Sequence, residues 1–326
     1  MAATVERKVP DMDYVTQSEN RVWGCSSENH EIYACALGDP KNWNQFLGIA
    51  TDSYAVTIGS SGDFTGCVTH LGYVIFFKED VIHKIYGNKP ANFQITNTNC
   101  RGVEKGSEKS IVIVNETLYY KSRHDVCLYG ASLPESISAA LGNDLYYAAS
   151  AGAYRSKYYI SMVSRATNEP AMFVFDGSKG LWHKEDDTRA TAFAAYGDDL
   201  YFIADDAIYS VNGKSSEYDD ETAQDEQQVE WHAQTGDIGL EYPDAKYISK
   251  LQLRLEVSDR SLVCIEVQYD QERAWREECR INSTYKRSFT IPIIPRRCDT
   301  MRIRISGRGD CRVYSLTKTI EQGSEL

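Results

Sequence analysis

Short runs of apolar and aromatic residues punctuate the first two-thirds of the chain, each bounded by polar or glycine-containing turns. The clearest are Val74-Ile75-Phe76-Phe77, Leu118-Tyr119-Tyr120, Tyr158-Tyr159-Ile160 and Leu200-Tyr201-Phe202-Ile203. Runs this brief, rich in aromatic and β-branched residues, predict buried strands rather than helices. From Phe76 to Tyr119, to Tyr158 and to Tyr201 the spacings are 43, 39 and 43 residues. Three of the runs lead through a polar turn into a second strand ending in glycine, at 81–87, 126–130 and 207–213. An earlier unit pairs Arg21–Cys25 with Glu31–Gly38 around the turn Ser26–Asn29. A period of about 40–45 residues, with several strands per unit, is that of a β-propeller blade. One small sheet cannot cover both of its faces, and packing blades side by side does. Residues 1–214 are therefore expected to form a propeller of four to five blades.

Past residue 229 the pattern becomes strict alternation. Leu251, Leu253, Leu255 and Val257 share one face, against Lys250, Gln252, Arg254 and Glu256. Val263, Ile265, Val267 and Tyr269 repeat it, followed by Phe289, Ile291 and Ile293, then Met301, Ile303 and Ile305. One apolar face per strand predicts an antiparallel β-sandwich or jelly roll over 229–326, with turns at 270–273 and 307–310. Only Glu135–Leu141 suggests a short helix, so the predicted class is all-β.

The stretch 215–228, SSEYDDETAQDEQQ, carries six acids, no base and no aliphatic residue larger than alanine. It predicts a linker or a long acidic loop between the two parts. The net charge of −12 is uneven: 19 basic and 26 acidic groups precede this stretch, and 16 basic and 15 acidic groups follow it. A general nucleic-acid binder would show a basic domain, which is not the pattern here. No run approaches the roughly 18 apolar residues of a membrane-spanning helix, and Met1–Pro10 lacks the apolar core of a secretory signal. Nine cysteines without paired spacing predict free thiols in a reducing cytoplasm.

Candidate chemistry is sparse. No Cys-x-x-Cys or His-x-x-x-His occurs, and the six histidines lie far apart, so no metal or other cofactor is expected. Neither a Gly-x-Ser-x-Gly elbow nor a phosphate loop is found; Gly102 and Gly106 predict a tight turn before a strand at 110–114. The segment Ser61–Gly66 is distantly similar to the Asp-box turn of sialidase-like propellers. The acidic pairs Glu79-Asp80, Glu185-Asp186 and Asp205-Asp206 are expected in turns, and no catalytic residue is assigned. Arginine is concentrated near the C-terminus, with Arg296, Arg297, Arg302, Arg304, Arg308 and Arg312 within 17 residues. In a strand through 301–305, Arg302 and Arg304 share the outward face. That face is either simply solvated or, with Arg296 and Arg297, a candidate subunit interface for an acidic partner surface.

The strings ENRVWGC (19–25), EIYACALGDPKNWNQF (31–46), TDSYAV (51–56) and GYVIFFKEDVIHKIYG (72–87) resemble a group of bacteriophage and prophage structural proteins. GVEKGSEKSIVIVNETLYYKS (102–122) and GLWHKED (180–186) resemble it too. In architecture the chain is similar to tail nozzle (tail tubular protein B) and DNA-stabilisation proteins of short-tailed phages. The resemblance implies a non-enzymatic virion component, a homo-oligomeric neck or tail ring subunit, in the virion and in the host cytoplasm during assembly. Its expected partners are other neck and tail proteins, with non-specific contact to passing DNA. The chain reaches Arg21 sooner than such proteins do, so ring closure is expected to need strands from elsewhere. Two alternatives stand beside this reading: a receptor- or carbohydrate-binding tail protein or propeller glycosidase, and a cellular interaction scaffold.

Overall fold

The computed structural model describes residues 9–211, 230–241, 246–270, 272–294 and 296–322, and the acidic stretch 215–228 lies outside them. The chain divides into two compact units, Met1–Lys214 and Ser215–Leu326. Among the described residues the only helical pieces are three short 3₁₀ turns, Pro90–Asn92, Glu108–Ser110 and Ser138–Leu141. The helix expected over 135–141 is not formed. Pro134–Ser136 pairs as a strand instead, and Gly142, at φ +86°, ends the single turn that follows.

The first unit is a succession of five antiparallel blades, a propeller-like arrangement. Blade 1 holds β1 (Tyr14–Ser18), β2 (Arg21–Ser26), β3 (Glu31–Ala34) and β4 (Tyr54–Thr57). Blade 2 holds β5 (Gly66–His70), β6 (Tyr73–Phe77), β7 (Val81–Tyr86) and β8 (Gln94–Asn99). Blade 3 holds β9 (Val112–Val114), β10 (Thr117–Lys121), β11 (Val126–Tyr129) and β12 (Pro134–Ser136). Blade 4 holds β13 (Tyr146–Tyr154), β14 (Lys157–Ser164), β15 (Pro170–Asp176) and β16 (Leu181–Asp186). Blade 5 has three described strands, β17 (Ala192–Tyr196), β18 (Asp199–Ala204) and β19 (Ala207–Ser210). In every blade the first and second strands are joined by a two-residue turn. Positive φ at Glu19 and Asn20, Leu71 and Gly72, and Asn115 and Glu116 gives the strand twist that such tight hairpins require.

The repeating aromatic run is the second strand of blades 2 to 5, and its alternation builds the core. Val74 and Phe76 of β6 pack with Trp23, Ile32 and Ala34 of blade 1, while Ile75 and Phe77 pack with Leu118 and Tyr120 of blade 3. Tyr119 turns the other way, to Tyr158 and Ile160 of blade 4. Tyr159 then meets Leu200 and Phe202 of blade 5. Each large side chain buried this way contributes about 1.5–3 kcal/mol, so these four interfaces carry the unit.

The second unit is one sheet system around one core. Its strands are β20 (Glu230–Gln234), β21 (Lys246–Tyr269), β22 (Arg276–Ile291), β23 (Arg297–Cys298), β24 (Met301–Arg308) and β25 (Cys311–Gln322). The sequence pattern suggests separate strands at 249–257 and 263–269, but β21 runs through both. Its pairing with β22 breaks register between Val257 and Leu262. The first half pairs with β25 and the second with β24. Leu251, Leu253, Leu255, Val263, Ile265, Val267, Met301 and Ile303 from both halves form one cluster, each at most 1% exposed.

Candidate functional site

Alternating strand direction sorts the connections of the first unit onto two rims. Turns between first and second strands emerge at one rim. Turns between second and third strands, and the crossovers to the next blade, emerge at the other. The crossover rim is where the charged residues converge. Lys105 reaches Asp63 at 2.8 Å, Arg123 reaches Glu79 at 3.0 Å, and Arg101 reaches Asp125 at 2.6 Å. The Lys105 ammonium holds the Asp63 carboxyl below its ordinary range. Asp63, singled out with the Asp-box-like segment, thus braces one crossover against the next.

Beneath these surface pairs lies a buried one. Glu104, 4% exposed, accepts from Arg165 and from Lys121, whose ammonium is 3.4 Å away and 2% exposed. Burial pushes the Lys121 ammonium pKa down, opposed by the Glu104 charge. The segment carrying Glu104 touches much of the unit. The Ser107 hydroxyl accepts from the Ala149 amide of blade 4, Tyr158 donates to the Ser110 carbonyl, and Lys109 donates to the Thr191 carbonyl. Gly102 is needed for close approach rather than for a turn, since a Cβ there would lie 1.8 Å from the Lys78 carbonyl oxygen. Beside the pair, a cleft of about 250 Å³ between blades 3 and 4 is lined by Lys121, His124, Asp125, Ser138, Asp144 and Tyr146, among others. The five innermost strands, YVTQS, GCVTH, VIV, YYAASAGAY and AFAAY, carry no carboxylate. Of the acidic pairs, Glu79-Asp80 and Asp205-Asp206 occupy turns, but Glu185-Asp186 lies within β16, where Glu185 pairs with His183 at 2.9 Å.

A broad concavity of the second unit lies on the outward face of the sheet β20-β24-β21-β22. Because Met301, Ile303 and Ile305 point into the core, their neighbours on β24 point out. Register then places His232, Ser306, Cys264 and Arg280 side by side across the four strands. The next row holds Gln234, Arg304 and Glu266, and the row on the other side holds Glu230, Arg308 and Leu262. Two small side chains at the centre and long ones around them leave a hollow of about 760 Å³. Its rim is held in place. Arg280 makes a two-pronged contact to Glu277, with both bonds at 2.7 Å. Arg304 lies 3.9 Å from the centre of the Trp275 ring, donates to Gln234 at 3.1 Å and faces Glu266 at 3.9 Å. Its Nε is buried with no hydrogen-bond partner among the described residues.

The arginines singled out from the sequence have different surroundings. Arg302 and Arg304 do share the outward face, yet Arg302 is clamped by Asp237 through Nε at 2.5 Å and Nη2 at 3.2 Å. Arg296 pairs with Glu272 at 2.8 Å and lies over Tyr269, and Arg297 sits in β23 opposite Tyr247. Of the four, only Arg304 belongs to the hollow. Sequence reading missed its companions His232, Glu266 and Arg280, which come together only once the register of four strands is known. Among the described residues, no group of three or more His, Cys, Asp or Glu is placed to hold a metal ion, and no helix is long and apolar enough to cross a membrane.

No family model and no curated protein matches the sequence. Among solved structures, the extracellular domain of a hybrid two component system from B. thetaiotaomicron aligns at 12% identity and TM-score 0.43. That alignment covers 87% of this chain and 40% of that one. A second match, the extracellular domain of a one component system from the same organism, has 14% identity and TM-score 0.35 over 60% of this chain, which spans 31% of that one. An exo-β-1,3-galactanase from Phanerochaete chrysosporium aligns at 9% identity and TM-score 0.32, covering 92% of this chain and 95% of that one. No residue role or substrate is carried over from them.

These findings correct the reading drawn from the sequence strings. The solved structures named above are bacterial extracellular domains and a glycoside hydrolase, and none of these three is a phage tail protein; the phage and nozzle resemblance is withdrawn, and with it the virion and host-cytoplasm location. The non-enzymatic assignment is likewise withdrawn; an exo-β-1,3-galactanase is named among the solved structures with which the chain aligns. The physical reason is visible in the blades. GYVIFFKEDVIHKIYG spans β6, its turn and β7, so the strings encode an aromatic hairpin, which blade geometry imposes whatever the protein does.

Proposed function

We propose that this is a carbohydrate-binding protein whose C-terminal sheet carries the recognition face. The observation behind this reading is the hollow around Ser306 and Cys264. Arg280 and Arg304 supply held donors around it, His232 adds an exposed ring, and Glu230 and Glu266 supply acceptors. Sugars present adjacent hydroxyls that donate and accept together. Planar, pre-positioned forks such as guanidinium and carboxylate match that geometry at low ordering cost. Among the residues lining the hollow, Arg280, Arg304 and Arg308 outnumber Glu230 and Glu266, which favours saccharides carrying a carboxylate or sulfate over neutral ones. Purified protein should bind members of an immobilised oligosaccharide panel, uronate-containing ones above neutral ones. Arg280→Ala should weaken binding about tenfold or more through loss of a charged hydrogen-bond donor. Absence of binding across the panel, or binding indifferent to both Arg280→Ala and Glu266→Gln, would sink the proposal.

A second reading rests on the cleft between blades 3 and 4, where Asp125 and Asp144 both line the wall. Glycoside hydrolysis requires two carboxyl groups facing one bond. With none on the innermost strands, a hydrolytic site in this unit would draw them from the crossover rim. Turnover of an oligosaccharide that survives both Asp125→Asn and Asp144→Asn would remove this reading and leave the sheet hollow untouched.

A further inference from the structure

The five blades leave one face uncovered. In β6, β10 and β14 alternate residues face the preceding and the following blade, and β18 keeps that register. Leu200 and Phe202 meet blade 4, so Tyr201 and Ile203 occupy the positions that Ile75 and Phe77, Tyr119, and Tyr159 fill in the interior interfaces. Those interior residues are at most 6% exposed, whereas Ile203 is 43% exposed. Around it, Ile208 is 73% and Tyr196 80% exposed, and with Ala192 and Ala194 they line an almost wholly apolar hollow of about 420 Å³. No blade among the described residues lies on this face. The sequence that follows it, 215–228, supplies one tyrosine and one alanine as its apolar side chains.

The opposite end of the series is built differently. The outer face of blade 1, with Val22, Tyr33 and Cys35, is already covered by Met12 and Trp43. The buried Arg21 guanidinium fastens the covering segment by donating to the carbonyls of Cys35 at 2.6 Å, Asp52 at 2.5 Å and Ala50 at 2.8 Å. From this cover projects a loop tip, Phe46-Leu47-Gly48-Ile49. Its shape is set by Asp52, whose Oδ2 accepts from the amides of Leu47, Gly48 and Ile49 at 2.7, 2.6 and 3.0 Å. The result is a rigid tip with its side chains outward, Phe46 61%, Leu47 74% and Ile49 51% exposed.

We propose that these two surfaces belong together between copies: the 46–49 tip of one chain docks on the open face of blade 5 of a second copy. The face continues the register of four established interfaces, so its complement is an apolar surface, and the chain carries a pre-shaped one at the other end of its blade series. Contiguous exposed apolar surface of this kind marks interaction sites. Because the two surfaces differ, the contact is heterologous and each copy offers one of each.

A single tip on a single sheet face is a small interface, so dissociation in the micromolar range is expected. Sedimentation equilibrium of the full chain up to about 200 μM should show concentration-dependent association. Leu47→Asp and Ile208→Asp, both at exposed positions, should each weaken association at least about tenfold while leaving the thermal transition unchanged. Mixing the two variants is the discriminating step. The Leu47→Asp copy keeps an intact face and the Ile208→Asp copy an intact tip, so the mixture should form dimers and nothing larger. A monomer throughout the range, association indifferent to both substitutions, or a mixture that stays monomeric would each overturn the proposal. A photo-crosslinker at position 46, in a mixture of isotopically light and heavy chains, should join residues 192–208 of a different copy. Links only within one chain would assign the face to its own tip and equally defeat the idea.

Discussion

Replacing Glu104 with glutamine probes what the buried pair contributes. The Lys121 ammonium is 2% exposed, and without Glu104 its remaining partner is the Ser122 carbonyl. A buried charge stripped of its counter-charge costs about 3–5 kcal/mol, because its desolvation is left uncompensated. For a unit of this size each kcal/mol moves the melting temperature by roughly 2–4 °C, so Glu104→Gln should lower it by about 6–20 °C. Adding Lys121→Met should restore most of the loss, since it removes the buried charge that Glu104→Gln leaves uncompensated. Differential scanning calorimetry of the full chain reads both values. If Glu104→Gln melts within about 2 °C of the parent, or if Lys121→Met deepens the loss, then Lys121 is solvated or otherwise paired and the account of this site is wrong.

Gly102→Ala should cost about 3 kcal/mol in urea unfolding, because the new methyl group meets the Lys78 carbonyl oxygen and backbone must move. Asp52→Ala should make the 46–49 tip the first site cut in limited proteolysis, since three amides lose their common acceptor. Stability should also decline in alkali. Burial raises the thiol of Cys67 to about 12 and that of Cys100 to about 11 from an ordinary value near 9. The folded state therefore holds protons that the unfolded state releases. That contribution is complete below about pH 9 and is lost as pH climbs through 11 to 12, so a melting series from pH 8 to 11 should fall and should flatten in Cys67→Ala. A rise over that range would contradict the sign.

What could be read in the sequence was whatever repeats at strand spacing. The 43, 39 and 43 spacings fall on the second strands of successive blades, and Leu251 to Ile305 alternate as the core requires. What could not be read depends on residues distant along the chain. Glu104 meets Lys121 and Arg165 only after three blades have stacked, and nothing local distinguishes it from Glu108. The hollow at Ser306 and Cys264 is likewise an effect of register. Small residues on two strands become a cavity only when His232 and Arg280 are brought alongside them. The continuity of β21 through 258–262 was not legible, because alternation on both sides does not say whether the strand stops between them.

The crossover segment 100–111 bears on how the first unit comes apart. Blades that touch only their neighbours behave as a one-dimensional stack, able to fray one unit at a time from an uncovered end. This segment breaks that arrangement. It reaches Asp63 on one side, and Arg165, Ala149 and Thr191 on the other, linking blades that share no face. Loosening blade 5 therefore pulls on contacts anchored near blade 1, and partial opening forfeits more than one interface. Amide hydrogens of blades 2, 3 and 4 should then exchange through a single cooperative opening rather than in a gradient of protection.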